Sequence, residues 1–92
     1  MVKEIVPGHE YKCVDANVTV VFQNGAVPDV GRNGWQNDEM LEVLIARLNW
    51  LNAQFPCREN SLTITKLEEA LMWQNKRTAN RVARKVEGKH TL

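Results

Sequence analysis

Leu41, Leu44, Leu48 and Leu51 recur at intervals of three and four residues. Ile64, Leu67 and Leu71 resume the pattern after a short break at Gln54-Phe55-Pro56. That spacing places each set on one side of a helix. Two apolar-striped helices joined by so short a connection must fold back on each other, which commits this part of the chain to an antiparallel helical hairpin. Asn37-Asp38 opens the first helix with a capping residue, and Asp38 and Glu39 sit at the positive end of its dipole. We expect that helix over residues 36–52. The second is expected over 60–86, with Asn60 as its N-cap and Gly88 placed to stop it. Glu68 and Glu69 lie in its first half and Lys76, Arg77, Arg81, Arg84 and Lys85 in its last, as the dipole favours.

Before the hairpin the pattern changes. Glu10 to Val14 and Val18 to Gln23 are β-prone, the second dense in β-branched residues, and Asp15-Ala16-Asn17 between them reads as a tight turn. A β-hairpin over residues 10–24 follows. Met1 to His9, with Pro7-Gly8, reads as a lead-in, and Asn24 to Gly34 as a loop of about ten residues, a length usual for functional or disordered segments. The expected class is α+β: a small antiparallel β-hairpin followed by a two-helix hairpin, in a single domain of residues 1–92. A chain of 92 residues buries only about 60–65% of its unfolded surface. Its core is therefore thin, and self-association is a natural way to cover the remainder.

Composition narrows the function classes. Twelve basic against eleven acidic residues give a net charge of +1, which argues against general nucleic-acid binding by bulk electrostatics. Cys13 and Cys57 have no metal-ligand spacing around them and are expected to be buried or idle thiols. No run approaches the roughly 18 apolar residues of a membrane span, and Met1 to Glu10 lacks a signal-peptide core. A soluble, intracellular protein without cofactor or metal is expected. Catalysis has little support: His9 and His90 lie near the two ends of the chain, and neither cysteine has a sequence-adjacent base.

The cation row has more to offer. Arg77, Arg81 and either Arg84 or Lys85 fall at helical spacing, with no acid four residues before any of Arg77, Arg81 or Lys85. Like charges stacked in this way are mildly destabilising unless an anion lies between them. Guanidinium groups in line suit a pyrophosphate, and flat aromatics such as Trp50 and Phe55 suit a nucleobase. The bland readings are a solvated arginine face, and core packing for Trp50, Trp73 and Phe55. A nucleic-acid-binding or structural protein using the basic helix is the alternative function.

An ordered series of motifs runs through these residues: Val21-Phe22-Gln23-Asn24-Gly25, Asn33-Gly34-Trp35-Gln36-Asn37-Asp38-Glu39, Cys57-Arg58-Glu59-Asn60-Ser61-Leu62, Leu67-Glu68-Glu69-Ala70-Leu71-Met72-Trp73 and Lys76-Arg77-Thr78, closing on Val86-Glu87-Gly88-Lys89-His90-Thr91. From Val18 to Thr91 this series resembles the first type of phage Thoeris anti-defence proteins, whose helical hairpin is shared with CBASS anti-defence sponges. The resemblance implies a non-enzymatic sponge in the host bacterial cytoplasm. It would bind the cyclic ADP-ribose isomer (glyco-cyclic ADP-ribose) of Thoeris immunity without degrading it, and in some relatives cyclic di- or trinucleotides of CBASS as well. It also implies a homodimer or a hexamer built as a trimer of dimers, with ligand near the subunit contact. Matched residue by residue, the family's ligand-binding asparagine falls on Asn60 and its two helix arginines on Arg77 and Arg81. The adenine-stacking aromatic falls on Trp50, or Leu51 takes its place, because Gln54-Phe55-Pro56 stands where relatives have Gly-Pro-Phe. Arg84 and Phe55 are supporting candidates. Lys85 replaces a glycine frequent in relatives, and residues before Val18 are outside the resemblance.

Overall fold

The β-branched runs form two strands, Glu10–Cys13 and Thr19–Val21, paired antiparallel with Tyr11 opposite Val20. They are part of a larger sheet. In the computed structural model, which describes residues 1–84, Val2–Val6 is a further strand. The three strands are β1 (Val2–Val6), β2 (Glu10–Cys13) and β3 (Thr19–Val21), in the order β1-β2-β3 with β2 central. The expected lead-in is thus an edge strand. Its register pairs Val2 with Cys13 and Glu4 with Tyr11, then slips before Val6 pairs with Glu10. That irregularity breaks the two-residue alternation that would have marked the strand in the sequence. Pro7-Gly8 is the β1–β2 turn, with Gly8 at φ 74° and the His9 N–H donating to Val6 O at 2.9 Å. Tyr11 meets Phe22 edge-to-face, ring centroids 6.0 Å apart.

The loop after β3 is held by its own side chains. Gln23 Nε2 donates to Gly31 O at 2.8 Å while its Oε1 accepts from the Asn33 N–H at 3.0 Å. Asn33 in turn accepts from the Asn24 N–H and donates to the Asn24 carbonyl, at 2.8 and 2.7 Å. Inside these clamps lies a single helical turn, α1 (Val27–Val30), started by Pro28 and ended at Gly31 with φ 73°. The chain then returns alongside β3: Trp35 N–H donates to Val21 O and Gln23 N–H to Trp35 O, forming a parallel bridge between Phe22 and Trp35. Gly34 makes this return possible, since a Cβ there would lie 2.5 Å from the Phe22 carbonyl carbon.

Contacts divide the chain into two units, Met1–Gln36 and a helical unit beginning at Asn37. The helical unit holds α2 (Asn37–Gln54) and α3 (Arg58–Ala83), packed together as a hairpin. The α2 helix runs two residues beyond the expected end. The start of α3 also differs. Cys57, not Asn60, is the N-cap, its Sγ accepting the Asn60 N–H at 3.4 Å, so Asn60 lies inside the first turn. Cysteine is an unusual cap because sulfur is a weak acceptor, which is why Asn60 read as the better start. Asn52 fastens the turn, accepting from the Cys57 N–H at 3.1 Å and donating to Ser61 Oγ at 3.2 Å. Arg84 is the C-cap of α3. The expected continuation to Val86 and the stop at Gly88 lie outside the described residues.

The core of the hairpin is thin, as the length demanded. Among the described residues only Ile64, 8% exposed, is a buried apolar side chain. Leu41, Ile45, Leu48, Leu67 and Leu71 are half-buried around it, and Leu44, an expected stripe member, is on the exposed rim.

Candidate functional site

Residues Arg58 to Ala83 form one uninterrupted helix, so sequence separation along α3 converts directly to distance. Seventeen residues separate Asn60 from Arg77 and twenty-one separate it from Arg81, about 26 and 32 Å of axial rise. The expected site residues therefore fall into two groups. Asn60 lies at the loop end of the hairpin, in the first turn of α3, half-buried and with no hydrogen bond to its side chain among the described residues. Trp50 belongs to the same end, two residues before Asn52, whose side chain touches Ser61. Arg77, Arg81 and Arg84 lie at the other end. No small ligand bound to one hairpin spans both groups.

Exposure separates the candidates further. Trp50, Phe55 and Trp73 are 60, 78 and 62% exposed, which rules out core packing for all three. Trp50 lies on the opposite side of α2 from Leu41, Ile45 and Leu48, and the Arg47 guanidinium carbon stands 5.9 Å from its ring centroid. Phe55 is in the connection between the helices, its N–H bonded to Leu51 O. The Trp50 ring does not face α3.

The arginines are not equivalent either. Arg77 is exposed and makes no hydrogen bond or ion pair among the described residues. Arg81, 6% exposed, is the one buried charged residue among those described, and it is not without a partner. Burying a guanidinium is costly unless it is bonded, so Arg81 is held in place while Arg77 remains available to a partner. Their positions are 40° apart around the helix axis and about 6 Å along it, close enough to address one pyrophosphate group. Arg84, exposed and engaged, caps the helix; Lys85 lies outside the described residues. The solvated-face reading therefore fits Arg77 and not Arg81.

One residue pair was missed in the sequence. Lys76 Nζ stands 5.1 Å from the Trp73 ring centroid, immediately beside Arg77. The signal was present, since Trp73 is four residues before Arg77, but a tryptophan in a helix is more often buried.

Other possibilities are less developed. In the sheet unit Thr19, Val21, Arg32, Gly34 and Trp35 line an open depression, with the Arg32 guanidinium donating to Gly34 O at 3.2 Å. Cys13 and Cys57 are free and exposed, so of the two expectations, buried or idle thiols, burial does not hold. Among the described residues no three His, Cys, Asp or Glu side chains are grouped to hold a metal ion, and no helix is long and apolar enough to cross a membrane.

Residues 15–79 match the family described as Acb2/Tad1, hairpin domain. The chain is 55% identical over 73 residues to Thoeris anti-defense 1 of Bacillus phage SBSphiJ7. The match covers 78% of this chain and 51% of the phage protein, so the chain spans about half the length of the curated relative it matches.

Proposed function

Because this chain belongs to the Acb2/Tad1 hairpin-domain family, we propose that it is a phage anti-defence protein acting as a non-catalytic sponge. In this reading it sequesters the cyclic ADP-ribose isomer signal of Thoeris immunity in the cytoplasm of the infected bacterium. The observation that carries the reading is the pairing of an exposed Arg77, with no bond among the described residues, and a buried Arg81 one helical turn away. The ligand presents two phosphate charges, two riboses and one adenine. Arg81 offers a positioned charge and Arg77 a free fork, each bond to a phosphate contributing roughly 1.5–3 kcal/mol when desolvated. Trp50 would cover the adenine, about 1–3 kcal/mol for a stacking platform, and Asn60 would fix orientation through its unused carboxamide.

Magnitudes decide how many chains build the site. Two arginines and one ring reach roughly 4–9 kcal/mol, short of the about 12 kcal/mol that nanomolar capture of a scarce signal requires. The axial separation of Asn60 from Arg77 leads to the same conclusion. Two copies paired with their α3 helices antiparallel would bring Asn60 and Trp50 of one protomer to Arg77 and Arg81 of its partner, and do so twice. A homodimer, or a hexamer assembled from such dimers, is thus the proposed functional unit. In this reading the ligand is held rather than cleaved.

Titration calorimetry with cyclic ADP-ribose isomers tests the reading. The wild-type chain should bind, and Arg77→Ala should weaken binding about tenfold to a hundredfold with the helical circular dichroism unchanged. Binding unaffected by Arg77→Ala would remove the clamp from the account.

A further inference from the structure

The ring nearest Arg77 in the chain is not Trp50. We infer that Trp73 forms a second aromatic wall of the nucleotide site, contributed by the same helix that supplies Arg77. The inference rests on the sponge reading and extends it to a residue and a ligand part that reading leaves unassigned.

An indole 62% exposed in the middle of a 26-residue helix is a large apolar surface left in water. It is also not isolated. Trp73 and Arg77 stand four residues apart, so their side chains rise from the helix about 6 Å apart along its axis and 40° apart around it. Lys76 Nζ lies over the ring at 5.1 Å. A flat ring thus has one cation over it and a second about one turn further along the helix, and Arg77 has no partner among the described residues. No Asp or Glu occurs from Ala70 to Arg84, a stretch that carries Lys76, Arg77, Arg81 and Arg84. Such a patch offers a π-face and phosphate donors within one turn. It fits a ligand whose aromatic base and phosphates are held close together, as in a cyclized adenine pyrophosphate, better than it fits an extended polyanion.

Position along the hairpin distinguishes this ring from Trp50. Trp50 lies near the level of Thr63 by way of the Asn52–Ser61 contact, about 20 Å along the axis from Arg77. Trp50 therefore goes with Asn60, and Trp73 goes with the arginines. When two antiparallel copies bring the two groups together, each site receives Trp50 from one copy and Trp73 from the other. Two walls from separate chains enclose a base that neither chain could enclose by itself. The Lys76 ammonium, already at the ring, lies where it can meet a phosphate as the base takes the π-face.

A chain carrying Trp35→Phe and Trp50→Phe keeps Trp73 as its single tryptophan, and its emission can be titrated with a cyclic ADP-ribose isomer. Saturable quenching is expected, at the midpoint that calorimetry gives for the same protein. Trp73→Ala should weaken binding about 5- to 100-fold, with Trp73→Phe retaining most of it and sedimentation showing the wild-type assembly. Binding by calorimetry with unchanged Trp73 emission, or wild-type affinity in Trp73→Ala, would overturn the inference while leaving the sponge reading intact. Loss of binding that accompanies dissociation of the subunits would reassign Trp73 to the subunit contact and also overturn it. Absence of binding to the unsubstituted protein would remove both.

Discussion

Two chains that each fail to bind should bind when mixed. The prediction follows from the roughly 26 Å that α3 places between Asn60 and Arg77. In an antiparallel pair each site takes Asn60 from one copy and Arg77 from the other. Asn60→Ala disables both sites of its homodimer, and Arg77→Ala does the same in its own. In the mixed dimer one site combines the intact Asn60 of the Arg77→Ala chain with the intact Arg77 of the Asn60→Ala chain. The other site carries both defects. Random re-pairing of equal amounts makes half the dimers mixed, each with one working site, so the mixture should recover about a quarter of the wild-type capacity. That recovered quarter should show wild-type affinity, because its site is complete. The assay is calorimetry at a ligand concentration well above the wild-type Kd and below that of either variant, after the two proteins are denatured together and refolded. Capacity that stays at the level of the separate variants would refute the two-chain site.

Two further predictions concern the scaffold. Gly34→Ala should destabilise the sheet unit by about 2 kcal/mol or more, because its Cβ cannot coexist with the Phe22 carbonyl and the two bonds joining Trp35 to Val21 and Gln23 must break. Urea titration followed by Trp35 emission measures this, and an unchanged midpoint would contradict it. Cys57→Ser should stabilise the hairpin by about 0.5–1 kcal/mol, since a hydroxyl caps the Asn60 N–H better than a thiol at 3.4 Å. That amounts to a melting temperature higher by roughly 2–8 °C for a chain of this size; a lower one would mean that the sulfur packs rather than caps.

The helical hairpin was legible because its signal is periodic and local. Leu41, Leu48, Ile64, Leu67 and Leu71 repeat at helical spacing, and Pro56 marks the break. The boundaries were less legible. The start of α3 was misplaced by two residues because Cys57 caps it, and nothing in cysteine's chemistry advertises a cap. Strand β1 was missed because Lys3-Glu4 and the slip after Glu4 destroy the alternation, and its partner β2 lies across a proline turn. The segment from Asn24 to Gly34 was legible as a loop, but its internal bonding and the helical turn Val27–Val30 were not. Its order comes from the Gln23 side chain bonding the backbone of Gly31 and Asn33 and the Asn33 side chain bonding the backbone of Asn24, a long-range arrangement that composition does not carry. Within the candidate site, the residue types were legible and their burial was not. Arg77 and Arg81 look alike in the sequence, yet one is open and the other is enclosed. The three aromatics leaned toward the core by statistics, and a hairpin with one buried isoleucine had no core large enough to take them.

Sequestration without chemistry is the claim on which the rest depends, and it can be measured by what heat gives back. The protein in molar excess is incubated with a cyclic ADP-ribose isomer and ultrafiltered, then the retained complex is boiled and filtered again, with the nucleotide in each filtrate identified by mass spectrometry. The first filtrate should be depleted of ligand and the second should return it intact, mole for mole. Ligand remaining free in the first filtrate, or a linear or shortened product in the second, would contradict it.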